Sequence, residues 1–390
     1  MVIGLPPVKQ FASDEMAARV LPEVLSGRKR ICLAITEPQA GSDVANIITR
    51  AEKTADGRFY KVNGTKKWIT QGHHADYFTC AVRTGAEGMG GISLLLLERG
   101  MKGLRTKAIK TSYSSSAGTS LVILEDVMVP VENLIGQEDQ GFMPIMFNFC
   151  HERWYIIVYI VAAMRGVCEE CFKWSMQRRA FGKKLADNAV VRNKLAAIIG
   201  ATEACSHWLD ALTHQMNNMP YMVQSARLAG PMSLLKYQAT RNAALVADNS
   251  TNLLGGRGIT LGGMGKIVQR FNVGYKFASI LGGSEEVMAD LAIKMAMRGF
   301  PRNVGFESQP QTARGIETHR DLVRTRPSLG SSPHAYDRRG CRVARGIGVG
   351  RGGVNEETVN HLFHRYQCGG VRAWPATWWG YRDRGPRRGE

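Results

Sequence analysis

Residues 148–164 read NFCHERWYIIVYIVAAM, a stretch that places one carboxylate, Glu152, at the start of an apolar run. Every residue from Trp154 to Met164 is hydrophobic or aromatic. The run is shorter than the ~20 residues of a membrane span, so it predicts a buried core helix, and no transmembrane segment is expected. A carboxylate that enters such an interior loses water, which raises its pKa and makes Glu152 a candidate general base.

The stretch by itself favours a simpler alternative for Glu152. An acidic residue near the start of a helix complements the helix dipole, and it can also pair with a neighbouring cation such as Arg153. The choice between the two depends on whether other segments of the chain supply something for a base to act on.

The composition allows two or three domains, because the chain has 390 residues, of which 44% are hydrophobic. Its net charge is +18, from 51 basic and 33 acidic residues. Residues 301–390 contribute +8 of this charge, with sixteen arginines, no lysine and eight acidic residues. The remaining +10 is ordinary for a protein that binds an anionic cofactor and substrate.

The last ninety residues differ from the rest of the chain. Residues 301–390 alternate Arg, Gly, Pro and Ser without a sustained apolar period, which predicts a disordered tail. Within the tail, RGIGVGRGG at 345–353 is similar to Arg-Gly tracts that bind RNA. Such units are few and irregularly spaced, so we favour an extension without function and do not expect nucleic acid as a partner.

Eight cysteines are spread along the chain without a regular framework, which favours a reducing, intracellular compartment. Cys168 and Cys171 have the spacing of a redox pair, but they fall in a helical pattern with no second pair, so no metal site is predicted. The start of the chain has neither a secretory signal nor an Arg-rich presequence. Mitochondrion, cytoplasm and peroxisome all remain open as locations.

The first part of the chain shows a short helix over 13–27 and then a series of strands. Asn63-Gly64 stands between FYKV and TKKWIT, which predicts a hairpin turn between two strands. Further strands are predicted at 77–83, 92–98 and 120–129. Because strand follows strand with no room for crossover helices, we expect an antiparallel β-barrel or sandwich.

Helical patterns dominate the second part and predict an up-and-down four-helix bundle. They run over roughly 138–180, 187–216, 222–253 and 284–298. The Gly-rich run at 253–265 fails as a dinucleotide fingerprint, since Leu261 stands where the third Gly belongs. The predicted class is α+β and multidomain, with boundaries at 1–30, 31–136 (β-domain), 137–300 (helical bundle) and 301–390 (tail).

Four motifs carry a resemblance to a known family. They are ICLAITEPQAGSDVANI (31–47), KVNGTKKWIT (61–70), QRRAFGKKL (177–185) and LGGSEEVMADLAIKMA (281–296). In this order and spacing they resemble the acyl-CoA dehydrogenase family of flavoproteins over about residues 3–300. The resemblance implies a helical N-terminal domain, of which 1–30 is a remnant, a β-domain that binds flavin and acyl-CoA, and a C-terminal helical bundle.

The resemblance also implies partners. Members bind FAD between the last two domains and form homotetramers or homodimers in which FAD reaches a neighbouring subunit. The implied substrate is an acyl-CoA, and the implied electron acceptor is an electron-transfer flavoprotein or another oxidant. Members carry further helices before the segment that matches 2–27, and those helices form one wall of the flavin and acyl pocket. The activity of this chain therefore depends on what supplies that wall.

Candidate cofactor residues follow from the resemblance, position by position. Thr36, Gly41 and Ser42 match flavin contacts, with Ser42 also near the substrate, although TEPQAGSDV alone is a polar turn. Trp68 matches the tryptophan that packs on the isoalloxazine, and Thr70 the hydroxyl beside flavin N5; taken alone, Trp68 is a core residue. The remaining matches are Arg178 and Phe181 on the FAD of the adjoining subunit, Asn252 in place of a common Gln, and Gly256, Ser284 and Glu286 near the nucleotide.

The position of the base follows from a difference between this sequence and that of many family members. Many members carry the catalytic Glu in a Y-E-G-T stretch, but here the matching residues are LGGS at 281–284, with Gly282 at the position of the Glu. Members of the isovaleryl-CoA and long-chain type place it instead in a Glu-Arg pair, which here is Glu152-Arg153. In such members the backbone N–H at position 282 donates to the thioester carbonyl, and Arg153 steadies the carboxylate or meets substrate.

The function implied is FAD-dependent α,β-desaturation of an acyl-CoA thioester, with Glu152 as the α-proton base and flavin N5 as the hydride acceptor. One alternative is an acyl-CoA oxidase or another flavin oxidase on the same scaffold. A second is an inactive relative, or one that binds nucleic acid through its basic surface. The resemblance reverses the initial preference and favours Glu152 as the base.

Overall fold

The computed structural model describes residues 3–300. It begins with two short helices, α1 (Pro6–Phe11) and α2 (Asp14–Leu25). Ser13 is the N-cap of α2, and its hydroxyl accepts a hydrogen bond from the backbone N–H of Met16 at 3.3 Å. Both helices lie against one face of the following sheet.

One eight-stranded sheet forms the first domain. Its strands are β1 (Ile31–Ala34), β2 (Arg50–Lys53), β3 (Phe59–Ile69), β4 (Tyr77–Arg83), β5 (Ile92–Glu98), β6 (Leu104–Ala108), β7 (Ser120–Pro130) and β8 (Leu134–Ile135). The order is β6-β7-β3-β2-β4-β5-β8, with β1 beside β4. The pairings are antiparallel as predicted, except that β1 and β2 each pair with β4 in parallel.

Burial explains why β4 and β5 read as unbroken apolar runs. Side chains from alternate positions of both strands enter separate cores on the two faces of the sheet, so almost every residue is buried. One core includes Tyr77 and Leu94 and is closed by α1, α2 and Ile145. The other includes Phe78 and Leu95.

The predicted hairpin at Asn63-Gly64 is wrong, because β3 continues through both residues. Gly64 marks a β-bulge, with a φ of 152°, and a Cβ there would lie 2.7 Å from the Cα of Thr49. Asn63 exchanges hydrogen bonds with Asp126 of β7, at 2.9 and 2.8 Å. The dipeptide therefore serves a bulge and a cross-strand contact, and the residues on either side of it pair with other strands.

Within the described residues 3–300 five helices follow, one more than the sequence predicted. They are α3 (Phe142–Gln177), α4 (Ala189–Asn217), α5 (Tyr221–Leu254), α6 (Lys266–Ile280) and α7 (Glu285–Gly299), with a small hairpin of β9 (Arg179–Ala180) and β10 (Lys183–Lys184) after α3. The apolar run that starts at Trp154 is buried in the shared helical core through Ile156, Ile157, Ile160, Val161 and Met164, as predicted, whereas Tyr155 and Tyr159 of the same run are exposed. α5 packs against α3, α4, α6 and α7, so it is the central helix.

Within residues 3–300, no helix combines the length and apolar character that a membrane crossing requires. The predicted disordered tail at 301–390, including the Arg-Gly tract, lies outside the described residues.

Candidate active site

Glu152 lies in the third turn of α3 with its side chain inside the protein, only 4% exposed. Burial raises the pKa of the carboxyl to about 7, while the positive charges of Arg153 and Lys236 act in the opposite direction. One carboxylate oxygen, Oε2, is enclosed and accepts no hydrogen bond from any described residue. A buried carboxyl that titrates near neutral pH and has a vacant acceptor is equipped to take up a proton.

Gly282 lies directly opposite this carboxylate, in the turn between α6 and α7. Its φ is +67°, a conformation that favours glycine. A Cβ at this position would lie 2.7 Å from Cδ1 of Ile156 and 3.6 Å from Oε1 of Glu152. A side chain at 282 would therefore collide with α3 and reach the space that Glu152 occupies, so the two positions present side chains to the same place.

Arg153 does not form an ion pair with Glu152. Its Nε donates to the carbonyl of Gly282 at 3.2 Å, and its guanidinium lies 5.7 Å from the ring centroid of Phe149. Burial lowers the pKa of Arg153, and the Glu152 charge opposes that change. The contact of Arg153 is with the turn, so the simple ion-pair alternative for Glu152 is not formed.

Trp68 and Thr70 lie at the end of β3, where the pairing with β7 is interrupted by a second irregularity. Trp68 is 52% exposed and has a φ of +64°, so it is not the core residue that its type alone suggests. The Oγ1 of Thr70 is buried and has no hydrogen-bond partner among the described residues. The ammonium of Lys67 lies 4.8 Å from the centroid of the Trp68 ring. A half-exposed indole two residues before an orphaned hydroxyl fits a planar ring with a polar edge, such as isoalloxazine.

The segment that carries Thr36, Gly41 and Ser42 runs alongside Trp68. The carbonyl of Thr36 accepts a hydrogen bond from the N–H of Lys67 at 2.9 Å, while Gly41 and Ser42 are exposed. The hydrogen bond therefore brings Thr36 next to the strand residue that precedes Trp68, while Gly41 and Ser42 follow on an exposed part of the same segment.

A buried ion pair fixes this segment, and the sequence analysis missed it. Glu37 and Lys66 are both fully enclosed, with Nζ and Oε1 2.7 Å apart. Glu37 also accepts the backbone N–H groups of Ile48 and Thr49, at 2.7 and 3.0 Å. Burial opposes ionisation of Glu37, but Lys66 and these donors outweigh it and hold the pKa of the carboxyl below its usual value. An acidic residue inside a loop motif and a lysine inside a strand were the only sequence signals.

The loop before β7 joins the strand end to the helical domain. Gln71, just after Thr70, donates from its backbone to the carbonyl of Ala117 at 2.7 Å. In the same loop, the ring of Tyr113 stacks on Phe277 of α6, with centroids 4.2 Å apart. Because α6 ends just before Gly282, this contact links the Trp68 side of the site to the Glu152 side.

Four predicted cofactor residues lie in a different place. Arg178 ends α3 and its guanidinium is 6.0 Å from the ring of Trp174, a ring that Arg257 also approaches, at 4.7 Å. Asn252 and Gly256, shortly before Arg257 in the sequence, are both exposed. Phe181, at the turn of the β9–β10 hairpin, is 96% exposed. Trp174 is also part of the lining of a cavity of about 190 Å³.

This second cluster is remote from the carboxylate. Twenty-two residues of α3 separate Glu152 from Trp174, which corresponds to about 33 Å at about 1.5 Å per residue. The length of α3 therefore separates Arg178 and the ring of Trp174 from the Glu152 carboxylate within one chain.

Ser284 and Glu286 follow the Gly282 turn directly. The hydroxyl of Ser284 accepts a hydrogen bond from the N–H of Val287 at 3.5 Å, at the start of α7. Glu286 is exposed, and backbone N–H groups together with Ser284 hold its pKa below the usual value. Both residues are near Gly282 in sequence and neither lines the Glu152 pocket in the way that Ile156 does.

Cys168 and Cys171 have the surroundings of structural cysteines inside the helical core. Both thiols are buried, and burial raises the pKa of Cys168 to about 11. The thiol of Cys168 lies 3.4 Å from the hydroxyl of Thr202. Among residues 3–300, no group of three or more His, Cys, Asp or Glu side chains is placed to hold a metal ion.

The pKa of Glu152 gives stability a defined pH dependence. Between the ordinary value of 4.5 and about 7, the folded protein holds a proton that the unfolded chain releases, so stability falls as the pH rises through this window. Glu152→Gln removes the effect. We expect the variant to match wild type at pH 4.5 and to exceed its free energy of unfolding at pH 8 by on the order of 2 kcal/mol, measured by urea unfolding.

Glu286→Gln is the control for this experiment, because its carboxyl is exposed and its pKa is shifted in the opposite direction. It should bring no gain in stability at pH 8. A stability difference between wild type and Glu152→Gln that is the same at both pH values would contradict the burial of an ionisable base.

Comparison with known proteins gives a consistent result. Residues 32–127 match the family model described as acyl-CoA dehydrogenase, middle domain, and residues 139–297 match acyl-CoA dehydrogenase, C-terminal domain. The chain is 41% identical to an acyl-CoA dehydrogenase of Emericella nidulans over 298 residues, which cover 76% of this chain and 68% of that protein.

Two further matches extend the range of organisms. The chain is 30% identical to the mitochondrial long-chain specific acyl-CoA dehydrogenase of Sus scrofa over 293 residues, 74% of this chain and 66% of that one. A crystal structure of a probable acyl-CoA dehydrogenase from Mycobacterium abscessus superposes with a TM-score of 0.70 at 30% identity, covering 75% of this chain and 76% of that chain.

Proposed function

Since the chain belongs to the acyl-CoA dehydrogenase family, we propose that it desaturates the α,β-bond of an acyl-CoA thioester with Glu152 as the base. The family assignment makes it an FAD-dependent oxidoreductase that acts on acyl-CoA. The identity of the base and the course of the reaction are the proposal. The observation that carries it is the enclosed, unpartnered carboxylate oxygen of Glu152 opposite Gly282.

The residues around Trp68 fit FAD. We assign the exposed indole of Trp68 to the face of the flavin ring, the orphaned hydroxyl of Thr70 to its polar edge, and Gly41 and Ser42 to the adjoining part of the cofactor. Bound FAD supplies the acceptor for the hydride that leaves the β-carbon. The Glu37–Lys66 pair holds the loop of these contacts in place.

Glu152 takes the α-proton of the substrate. An α C–H is a weak acid, so the base needs a proton affinity that is higher than that of an ordinary carboxylate, and burial provides it. As the C–H bond breaks, its electron pair forms the α,β double bond and the β-hydrogen leaves as hydride, so the charges balance. The empty acceptor on Oε2 becomes the position of the transferred proton.

The Gly282 turn supplies the second element of the mechanism. Removal of the α-proton places negative charge on the thioester carbonyl oxygen, and a preorganised donor stabilises it in a site that excludes water. We assign the backbone N–H of Gly282 to this oxygen. Arg153 binds the carbonyl of the same residue at 3.2 Å and so restrains the turn from which the N–H projects.

As electron acceptor we propose an electron-transferring flavoprotein. Support comes from a solved structure, described as an electron transferring flavoprotein of Acidaminococcus fermentans, that superposes on this chain with a TM-score of 0.70 at 25% identity. Oxygen consumption during turnover separates this acceptor from an oxidase.

We further propose that the working site needs a second copy of this chain. Arg178 and Phe181 are exposed, and Arg178, which follows the last residue of α3, is 26 residues or about 39 Å along the helix axis from Glu152, so we infer that they meet the FAD of a neighbouring copy and not of their own. The left-handed backbone of Phe181, with φ at +52°, holds its ring outward at the hairpin turn. A homodimer or homotetramer would unite the two clusters.

Replacing Glu152 tests the base. Glu152→Gln keeps the size of the side chain, so FAD-bound protein should form, while the rate of flavin reduction should fall about 10²- to 10⁴-fold. The measurement is the anaerobic loss of flavin absorbance on mixing with butyryl-CoA or palmitoyl-CoA. These probes bracket the substrates that name two relatives, a butyryl-CoA dehydrogenase of Megasphaera elsdenii and the long-chain enzyme of Sus scrofa.

The control is Glu169→Gln, which removes an exposed carboxylate from the same helix and breaks only an ion pair with Lys173. Its rate should equal that of wild type. Near-normal bleaching of the flavin in Glu152→Gln would refute Glu152 as the base.

Replacing Arg178 tests the second copy. Arg178→Ala removes a charge-assisted donor, so the affinity for FAD should weaken about 10- to 100-fold, with the melting temperature of the apoprotein unchanged. The matched control is Arg179→Ala, which removes the neighbouring exposed arginine. Titration of apoprotein with FAD gives the affinity, and light scattering gives the number of copies. Full FAD binding by a monomer would contradict the shared site.

A further inference from the structure

Lys236 is a buried lysine in the middle of α5, with a side chain that is 0% exposed. It precedes the apolar positions Ala239 and Ala243 of the same buried stripe. No described carboxylate lies within ion-pair distance of its ammonium group, which donates a short hydrogen bond to the carbonyl of Gly283. Burial of an ammonium group without a direct counter-ion is strongly unfavourable, so its contacts require a reason.

The contact places two buried cations on one turn. Arg153 of α3 donates to the carbonyl of Gly282, and Lys236 of α5 donates to the carbonyl of Gly283. The two glycines have φ values of +67° and +105°, backbone conformations that glycine adopts readily because it has no Cβ. Helices on both sides of the turn thus hold its two successive carbonyls, and the turn faces Glu152.

The charges around Glu152 come from three helices. From α3 comes Arg153, and from α5 comes Lys236, both positive and buried. From α7 comes Glu285, which is buried and within 4 Å of the exposed Arg241 and Lys276. His151 of α3 is also enclosed, and burial lowers its pKa to about 4, which makes it neutral at pH 7.

The proton affinities are coupled in a consistent direction. Burial and, to a lesser extent, the charge of Arg153 lower the pKa of Lys236 to about 8, against the partial opposition of Glu152 and Glu285. In return, Lys236 favours the ionised form of Glu152. At pH 7 the lysine is therefore charged, and its charge acts on the carboxylate.

We propose that Lys236 is a positioning residue for the dehydrogenation, which fixes the Gly282–Gly283 turn opposite Glu152 and provides the buried positive charge that keeps this base ionised. The proposal rests on the proposed role of Glu152. A purely structural lysine would contribute to folding alone and leave the pH dependence of the reaction where it is.

The first test is the pH profile of flavin reduction in Lys236→Met, a change that keeps the length of the side chain and removes charge and donor. The probe is whichever of butyryl-CoA and palmitoyl-CoA reduces wild type faster. We expect the acidic limb of the profile to move up by roughly one pH unit. At pH 7 the ionised fraction of the base would then fall from about one half to about one tenth, a loss in rate of about five-fold.

Lys236→Gln separates the two parts of the role, since it can still donate to the carbonyl of Gly283 but has no charge. It should show the same shifted limb as Lys236→Met and a higher rate on the plateau above the limb. If neither variant folds with FAD bound, Lys236 is a structural residue and the proposal fails.

The second readout is independent of activity. The pH window over which the stability gain of Glu152→Gln grows ends at the pKa of Glu152, above which the gain stays constant, so urea unfolding of wild type, both single variants and the double variant locates that pKa. In the Lys236→Met background the window should extend to higher pH. An unmoved window, or an unmoved acidic limb, would overturn the proposal.

The matched control is Lys276→Met, which removes an exposed lysine near Glu285 and touches neither the turn nor Glu152. Its profile should coincide with wild type, and a shift equal to that of Lys236→Met would show a general charge effect and overturn the proposal. The Glu152→Gln variant distinguishes a failure of the proposed base from a failure of the proposed role of Lys236. An active Glu152→Gln rejects the base itself, whereas an inactive Glu152→Gln with an unmoved Lys236→Met limb rejects only the positioning role.

Discussion

The burial of one carboxyl group, Glu152, is the constraint on which the site depends. A carboxylate without full hydrogen bonding is unfavourable in a dry interior, and the protein retains it by placing positive charge nearby and by leaving the opposite position without a side chain. Gly282 cannot carry even a Cβ without meeting Ile156. The carboxylate and the glycine therefore form one arrangement, in which the helix supplies a buried carboxyl group and the turn supplies only backbone.

The two sides of the site use different means of support. On the sheet side, a left-handed Trp68 and a vacant hydroxyl on Thr70 are held by the buried pair Glu37–Lys66. On the helical side, the turn at 282–283 is held by donors from two helices. The stacking of Tyr113 on Phe277 joins them. These buried contacts surround polar groups that have no hydrogen-bond partner of their own, as expected where a ligand provides the missing partners.

Much of this arrangement is predictable from the sequence. The apolar run after Trp154 indicated a buried helix, and the resemblance to family members that lack a carboxylate at the position of Gly282 moved the expected base to Glu152. The strands at 77–83 and 92–98 were evident because both faces of β4 and β5 are buried, which leaves an unbroken apolar run. Local composition is sufficient where one physical requirement dominates.

The failures have equally specific causes. Asn63-Gly64 has the composition of a turn, yet long-range pairing of β3 with β2 and β7 turns it into a bulge. Helix α6 was missed because Gly274 and polar residues interrupt its apolar period. Lys236 gave a weak signal, a lysine beside a buried stripe, which cannot be distinguished from a surface residue until α3, α5 and α7 are packed together.

The most direct test of the account is a crystal structure of the FAD-bound protein with a non-reducible acyl-CoA thioester. The account predicts a carboxylate oxygen of Glu152 within about 3 to 4 Å of the α-carbon, with the flavin ring between Trp68 and the acyl chain. An α-carbon that lies against another carboxylate, or a Glu152 that points away from the thioester, would contradict it.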